Sequence, residues 1–96
     1  MSDALFSVKN QIVLITGGGR GIGKEIASAF ASRDATVIIA GRDKATLDKT
    51  VEEISAKSAT IQAEVCDVSS SEDVNSLVES VVSQHGRIDT LVSVAG

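Results

Sequence analysis

Apolar positions along this chain fall into two patterns that take turns. Continuous runs such as Ile12-Val13-Leu14-Ile15 and Val37-Ile38-Ile39-Ala40 alternate with stretches in which apolar residues recur every third or fourth position. Runs of the first kind suit strands covered on both faces. Recurrence of the second kind suits helices with one apolar stripe. The patterns predict strands at about 11–16, 36–40, 60–65 and 90–95. They predict helices at about 21–33 and 44–57, and a third running to about 85. The first helix places Ile22, Ile26, Ala27, Phe30 and Ala31 on one face, with Lys24, Glu25 and Ser28 opposite. The second places Leu47, Val51 and Ile54 together, and the third Val74, Leu77, Val78, Val81 and Val82. In the third strand Ile61, Ala63 and Val65 alternate with Gln62 and Glu64, the mark of an outer strand with one wetter face.

The ends of these elements carry their own signals. Asp43 is a suitable N-cap for the second helix. Ser69 and Glu72 have the spacing of a capping box before the third, and Gly86 ends it. Asp34 stands where helices commonly close through a left-handed residue, a conformation Asp tolerates less well than Gly. Residues 1–10 read as a lead-in whose Leu5, Phe6 and Val8 are available to pack on the sheet edge. The resulting order is β-α-β-α-β-α-β. Strands alternating with amphipathic helices imply a parallel sheet between helical layers, an α/β Rossmann-type architecture. Right-handed crossovers then give the strand order 3-2-1-4. With 96 residues the chain is a single domain at most, and no repeat, linker or low-complexity tract is visible.

Between the first strand and the first helix lies Thr16-Gly17-Gly18-Gly19-Arg20-Gly21-Ile22-Gly23. Glycine lets backbone approach a ligand where a Cβ would block it. A helix start offers unpaired N–H groups and the positive end of its dipole. Strand, glycine turn and helix start in succession therefore form a phosphate cradle. The spacing is T-G-x-x-x-G-x-G rather than the common G-x-G-x-x-G.

Composition narrows the partners. The net charge of −4 and absence of a basic patch speak against nucleic acid. The lone Cys66 allows no internal disulfide, consistent with a reducing compartment. No apolar run approaches membrane-spanning length, and the first ten residues do not read as a signal peptide. The expectation is a soluble cytoplasmic protein that does not engage a membrane.

The segment T-G-G-G-R-G-I-G after I-V-L-I resembles the cofactor loop of the short-chain dehydrogenase/reductase family, and the likeness runs along the whole chain. It implies a dinucleotide site that includes Gly17, Gly19, Arg20, Gly21, Ile22 and Gly23. At the end of the second strand Gly41 stands where the family usually has an acid that holds a ribose hydroxyl, and Arg42 follows it. An arginine there accommodates a 2′-phosphate, so the reading favours NADP(H) over NAD(H). Arg20 adds a second positive charge; as plain surface charges both arginines would instead be solvated. Asp67 and Val68 resemble the family's adenine-contact pair, although an Asp before a helix also sits well near the positive helix end. Ser93-Val94-Ala95-Gly96 stands where the family has N-N-A-G. Ala95 and Gly96 match and are assigned to the cofactor site; both asparagines are replaced, Ser93 supplying one hydroxyl. Asp89, in G-R-I-D-T-L-V, reads as a turn residue as readily as a ligand. His85 reads as a cation at a helix end. Cys66 reads as a small buried residue with no His or Lys beside it to activate it.

The family exchanges hydride between cofactor and a carbonyl or alcohol, with a Tyr as proton donor or acceptor, a Lys four positions later and a Ser that orients substrate. These 96 residues contain no Tyr. No catalytic and no metal-binding residue is therefore assigned. The chain is expected to be the cofactor-binding, amino-terminal half of such an enzyme, meeting its carbonyl or alcohol substrate only together with the other half. The alternative is a non-catalytic dinucleotide-binding or interaction module. A different Rossmann-type binder, such as a methyltransferase, fits the loop spacing and Arg42 less well. The fourth strand's outer edge and the face of the third helix are expected to be exposed and apolar, inviting self-association or a partner subunit.

Overall fold

The computed structural model describes residues 9–17, 19, 21–56 and 60–94. The elements are β1 (Ile12–Thr16), α1 (Gly21–Ala31), β2 (Thr36–Gly41), α2 (Lys44–Ser55), β3 (Thr60–Val65), α3 (Ser71–His85) and β4 (Thr90–Ser93). The strands form one parallel sheet in the order β3-β2-β1-β4, as the crossover argument requires.

Alternation along β1 and β2 divides the core into two layers. Val13, Ile15, Val37 and Ile39 point to one face and pack with Ala27 and Ala31 of α1 and Leu47 and Ile54 of α2. Ile12, Leu14, Ile38 and Ala40 point to the other, beneath Leu77 and Val81 of α3. Each large side chain buried in this way contributes roughly 1.5–3 kcal/mol. Two helices cover the first face and one the second, so coverage is uneven. Val78 and Val82 of α3 and Leu91 of β4 are left exposed, Leu91 by 62%.

Several boundaries differ from the sequence expectation. α1 stops at Ala31 rather than 33, because the chain turns through Ser32–Asp34, with Asp34 left-handed at φ 66° as anticipated. Ile22 does not join the apolar face of α1; it is 70% exposed at the helix start. α2 begins at its cap Asp43 as expected, whose side chain accepts from the Thr46 N–H, but it ends at Ser55; Lys57 lies outside the described residues. The cap of α3 is Ser70, accepting from the Asp73 N–H, not Ser69 with Glu72. The run Ser69-Ser70-Ser71-Glu72-Asp73 offers the same spacing in two registers. Ser69 is diverted to Asp67, which settles the choice. Gly86 closes α3 at φ 86°, its N–H donating to the Val82 carbonyl. On β3, Ile61 and Ala63 are half-buried, but Val65 at the strand end is 60% exposed. β4 ends at Ser93; Ala95, expected in that strand, lies outside the described residues, as do Leu5, Phe6 and Val8.

Register matters most at the carboxyl edge. Thr16 of β1 lies opposite Ala40 of β2 and Ser93 of β4, and Gly41 lies opposite Val65 of β3. The four strands deliver their following loops to one edge. In a doubly wound sheet, ligands bind at that edge, where the strand order reverses.

Candidate functional site

The chain leaves β1 at Gly17, whose N–H donates to the Ala40 carbonyl at 2.8 Å. Gly17 has φ +79°, and a Cβ there would lie 2.6 Å from the Val94 carbonyl oxygen. No side chain fits, so this glycine is required by both conformation and space. Gly21, at φ +59°, opens α1, and a Cβ there would meet nothing within 4 Å among the described residues. The first turn of α1 holds no acidic residue. Its unpaired N–H groups and dipole therefore face the cleft with no carboxylate of that turn to repel an anion.

In front of this turn lies a cleft of about 760 Å³. Its lining brings together Gly17, Gly19, Gly21 and Ile22 from the glycine turn, Arg42 after β2, and Asp67 and Val68 after β3. Seven of the residues assigned from the sequence thus meet in one place. Gly23 does not line the cleft; it is buried within α1. Arg20, Ala95 and Gly96 lie outside the described residues. Ser93 is exposed on β4 and is not part of the lining.

Charge is arranged along the outer half of the cleft. The Asp67 carboxylate accepts from the Ser69 hydroxyl at 2.6 Å and from the Ser69 N–H at 2.9 Å. These bonds, with a weaker contribution from the Arg42 charge, hold its carboxyl below the usual range. Asp67 is therefore an ionised, pre-oriented acceptor. Arg42 is exposed at the same rim. Ile22 and Val68, 70% and 55% exposed, add apolar surface on which a flat ring can rest. Cys66 is buried, as expected; burial, and behind it the carboxylates of Asp73 and Asp67, push its thiol up. This disfavours the thiolate, the form that acts as a nucleophile.

Further residues not assigned to the cleft from the sequence complete its lining. Thr46 and Leu47 form the floor beneath Gly19, and Ser69 and Val94 complete the walls. Behind the lining, the buried Thr50 hydroxyl donates to the Gly19 carbonyl at 2.6 Å. Ser69, two residues after Asp67, has the spacing of an Asx turn and was legible on that ground.

Asp89 serves the opposite edge of the sheet. Its carboxylate accepts from the Ile12 N–H at 2.7 Å and from the Arg87 guanidinium. This is the structural role among the two open readings. His85 sits in the last turn of α3, and its buried Nε2 has no hydrogen-bond partner among the described residues. Among the described residues no group of acidic, His or Cys side chains could hold a metal ion, and no helix is long and apolar enough to cross a membrane.

The groups present suit a dinucleotide. There is a glycine cradle that a Cβ would fill at Gly17, an open approach at Gly21, a cation at Arg42 and an ionised acceptor at Asp67. The cleft volume is that of an ordinary small-molecule site.

Comparison with known proteins agrees. The family model described as short chain dehydrogenase matches residues 11–96. The "Short-chain dehydrogenase/reductase homolog YusS" of Bacillus subtilis is 38% identical over 88 residues, covering 91% of this chain and 81% of that protein. The "Probable oxidoreductase EphD" of Mycobacterium bovis is 41% identical over 85 residues, covering 88% of this chain. This chain spans only 14% of that relative's length. Among solved structures, a metagenomic short-chain oxidoreductase in complex with NADP superposes with a TM-score of 0.90 at 36% identity, covering 94% of this chain and 41% of that one.

Proposed function

The chain belongs to the short chain dehydrogenase family, and from that premise we propose that it forms the NADP(H)-binding part of an oxidoreductase acting on a carbonyl or alcohol substrate. The observation that carries this reading is the meeting of the glycine turn, Arg42 and Asp67 at one edge of the sheet. The turn and the α1 N-terminus hold the pyrophosphate. Arg42, whose fork pairs with phosphate oxygens, holds the 2′-phosphate and sets the preference for NADP(H) over NAD(H). Asp67 accepts from the adenine amino group while Val68 packs on the ring. The nicotinamide supplies hydride exchange when bound. Proton transfer needs a group these residues lack, since they contain no Tyr. The 96 residues alone are therefore proposed to bind cofactor without turning over substrate.

The absence of Tyr equally favours a second reading, a non-catalytic dinucleotide-binding module. In either case the exposed Val78, Val82 and Leu91 support association with another copy or a partner subunit, in a cytoplasmic setting.

Titration with NADPH and NADH, followed through nucleotide fluorescence and paired with a carbonyl-reduction assay, tests the proposal. NADPH is expected to bind at least about tenfold more tightly than NADH, the scale of one charge-assisted phosphate contact. The same sample is expected to leave the carbonyl unreduced. Failure to bind either nucleotide, or a preference for NADH, overturns it.

A further inference from the structure

Thr50 is a buried polar residue in the middle of α2, 2% exposed and remote in sequence from the glycine turn. A buried hydroxyl without a partner is costly. Threonine within a helix commonly meets that need by bonding back to its own preceding turn. Thr50 instead donates across the core to the Gly19 carbonyl at 2.6 Å.

The same stretch of α2 supports Gly19 from below. A Cβ on Gly19 would lie 3.2 Å from Leu47 Cδ2 and 3.4 Å from Thr46 Cγ2. The glycine turn therefore rests directly on α2, seated at Thr46 and Leu47 and tied at Thr50. A peptide group is planar, and its carbonyl and following N–H point in opposite directions. Fixing the Gly19 carbonyl toward a buried side chain keeps that oxygen from facing an anion in the cleft. Released, the plane is free to turn its negative end toward a bound phosphate.

We propose that Thr50 is a positioning residue for the cofactor site: its hydroxyl orients the Gly19 peptide so that the turn accepts a pyrophosphate. The inference rests on the dinucleotide reading above. α2 is also capped by Asp43, immediately after Arg42, so one element sets both the floor of the phosphate turn and the start of the 2′-phosphate subsite.

The test compares Thr50→Val, which keeps the shape and removes the hydroxyl, with Thr50→Ser, which keeps the hydroxyl. Binding of NADP and of adenosine 2′-monophosphate, which lacks the pyrophosphate, is measured on each variant of the full chain by calorimetry. Thr50→Val is expected to bind NADP about tenfold more weakly, the scale of one hydrogen bond. Its affinity for adenosine 2′-monophosphate is expected to stay within about twofold, a change within measurement scatter. Thr50→Ser is expected to restore NADP binding. A merely structural role moves both ligands together and gives no such split. An equal loss for both ligands, or wild-type NADP affinity in Thr50→Val, overturns the inference. If Thr50→Val does not fold, Thr50→Ser decides: a selective loss of NADP binding in that variant contradicts the claim that the hydroxyl suffices. A wild-type chain that binds neither ligand removes the dinucleotide reading itself, and this inference with it.

Discussion

The carboxylate of Asp89 accepts a hydrogen bond from the main-chain N–H of Ile12 at 2.7 Å, joining residues 77 positions apart. It fastens the start of β4 to the start of β1, and Arg87 strengthens it by bonding both Asp89 and the Asn10 carbonyl. The bond to the Ile12 N–H, followed by Arg87, holds the Asp89 carboxyl below its ordinary range. A carboxyl lowered by folding adds stability above its unfolded pKa, and that stability is lost as pH falls through the folded value. Asp89→Asn is therefore expected to unfold at a lower temperature than wild type at neutral pH, with the gap closing as pH falls below the ordinary Asp range. Melting curves across that range check it; a gap independent of pH contradicts the assignment.

Gly17 and Gly21, the positive-φ glycines among the described residues of the glycine turn, are expected to respond differently to the same methyl group. Gly21→Ala meets open space and suffers only left-handed strain, about 1–2 kcal/mol. Gly17→Ala suffers that strain and also drives a Cβ to 2.6 Å from a backbone oxygen that has no rotamer to escape through. Urea denaturation is expected to rank Gly17→Ala clearly below Gly21→Ala. Equal losses contradict the close approach to Val94.

The proposed preference for NADP(H) rests on Arg42. Arg42→Ala is expected to weaken NADPH binding by about tenfold or more while leaving NADH binding within about twofold, since only NADPH bears the 2′-phosphate. Paired fluorescence titrations read this directly. Parallel losses for both nucleotides speak against a 2′-phosphate contact.

Ser70 takes the capping task that the spacing had given to Ser69, and Ser69 bonds Asp67 instead. Ser70→Ala is expected to cost about 1 kcal/mol through loss of the α3 cap. Ser69→Ala leaves that cap in place and removes the hydroxyl that stabilises ionised Asp67. The Asp67 carboxyl is then expected to titrate higher than in wild type, as followed by carboxyl NMR. If Ser69→Ala destabilises the chain more than Ser70→Ala, the capping assignment is reversed.

What was legible in the sequence was whatever depends on short-range pattern. The apolar run from Ile12 to Ile15 announces a strand covered on both faces, and the two core layers bear it out. Asp34 and Gly86 announce left-handed helix ends, and both have positive φ. The turn beginning at Gly17, with Arg42 and Asp67, announces a site because all follow strands of one parallel sheet. What was hidden depends on competition or on long-range geometry. Ser69 and Ser70 offer capping registers of the same spacing, and the bonds of Ser69 to Asp67 and of the Asp67 N–H to Asp73 separate them. Ile22 fits the α1 stripe by spacing, yet its place on the first turn puts it at the cleft rather than over the sheet. Thr50 looks like any helical threonine until Gly19 is brought beside it.

In the proposed function the glycine turn and the loops after β2 and β3 form one dinucleotide site. Two-dimensional amide NMR during titration with NADPH tests it most directly. The amides of Gly17, Gly19, Gly21, Arg42, Asp67 and Val68 are expected to shift together along one saturating curve, while those of Asp89 and Ile12 at the far edge of the sheet stay still. Shifts confined to another surface, or no saturable shift at the glycine turn, would contradict it.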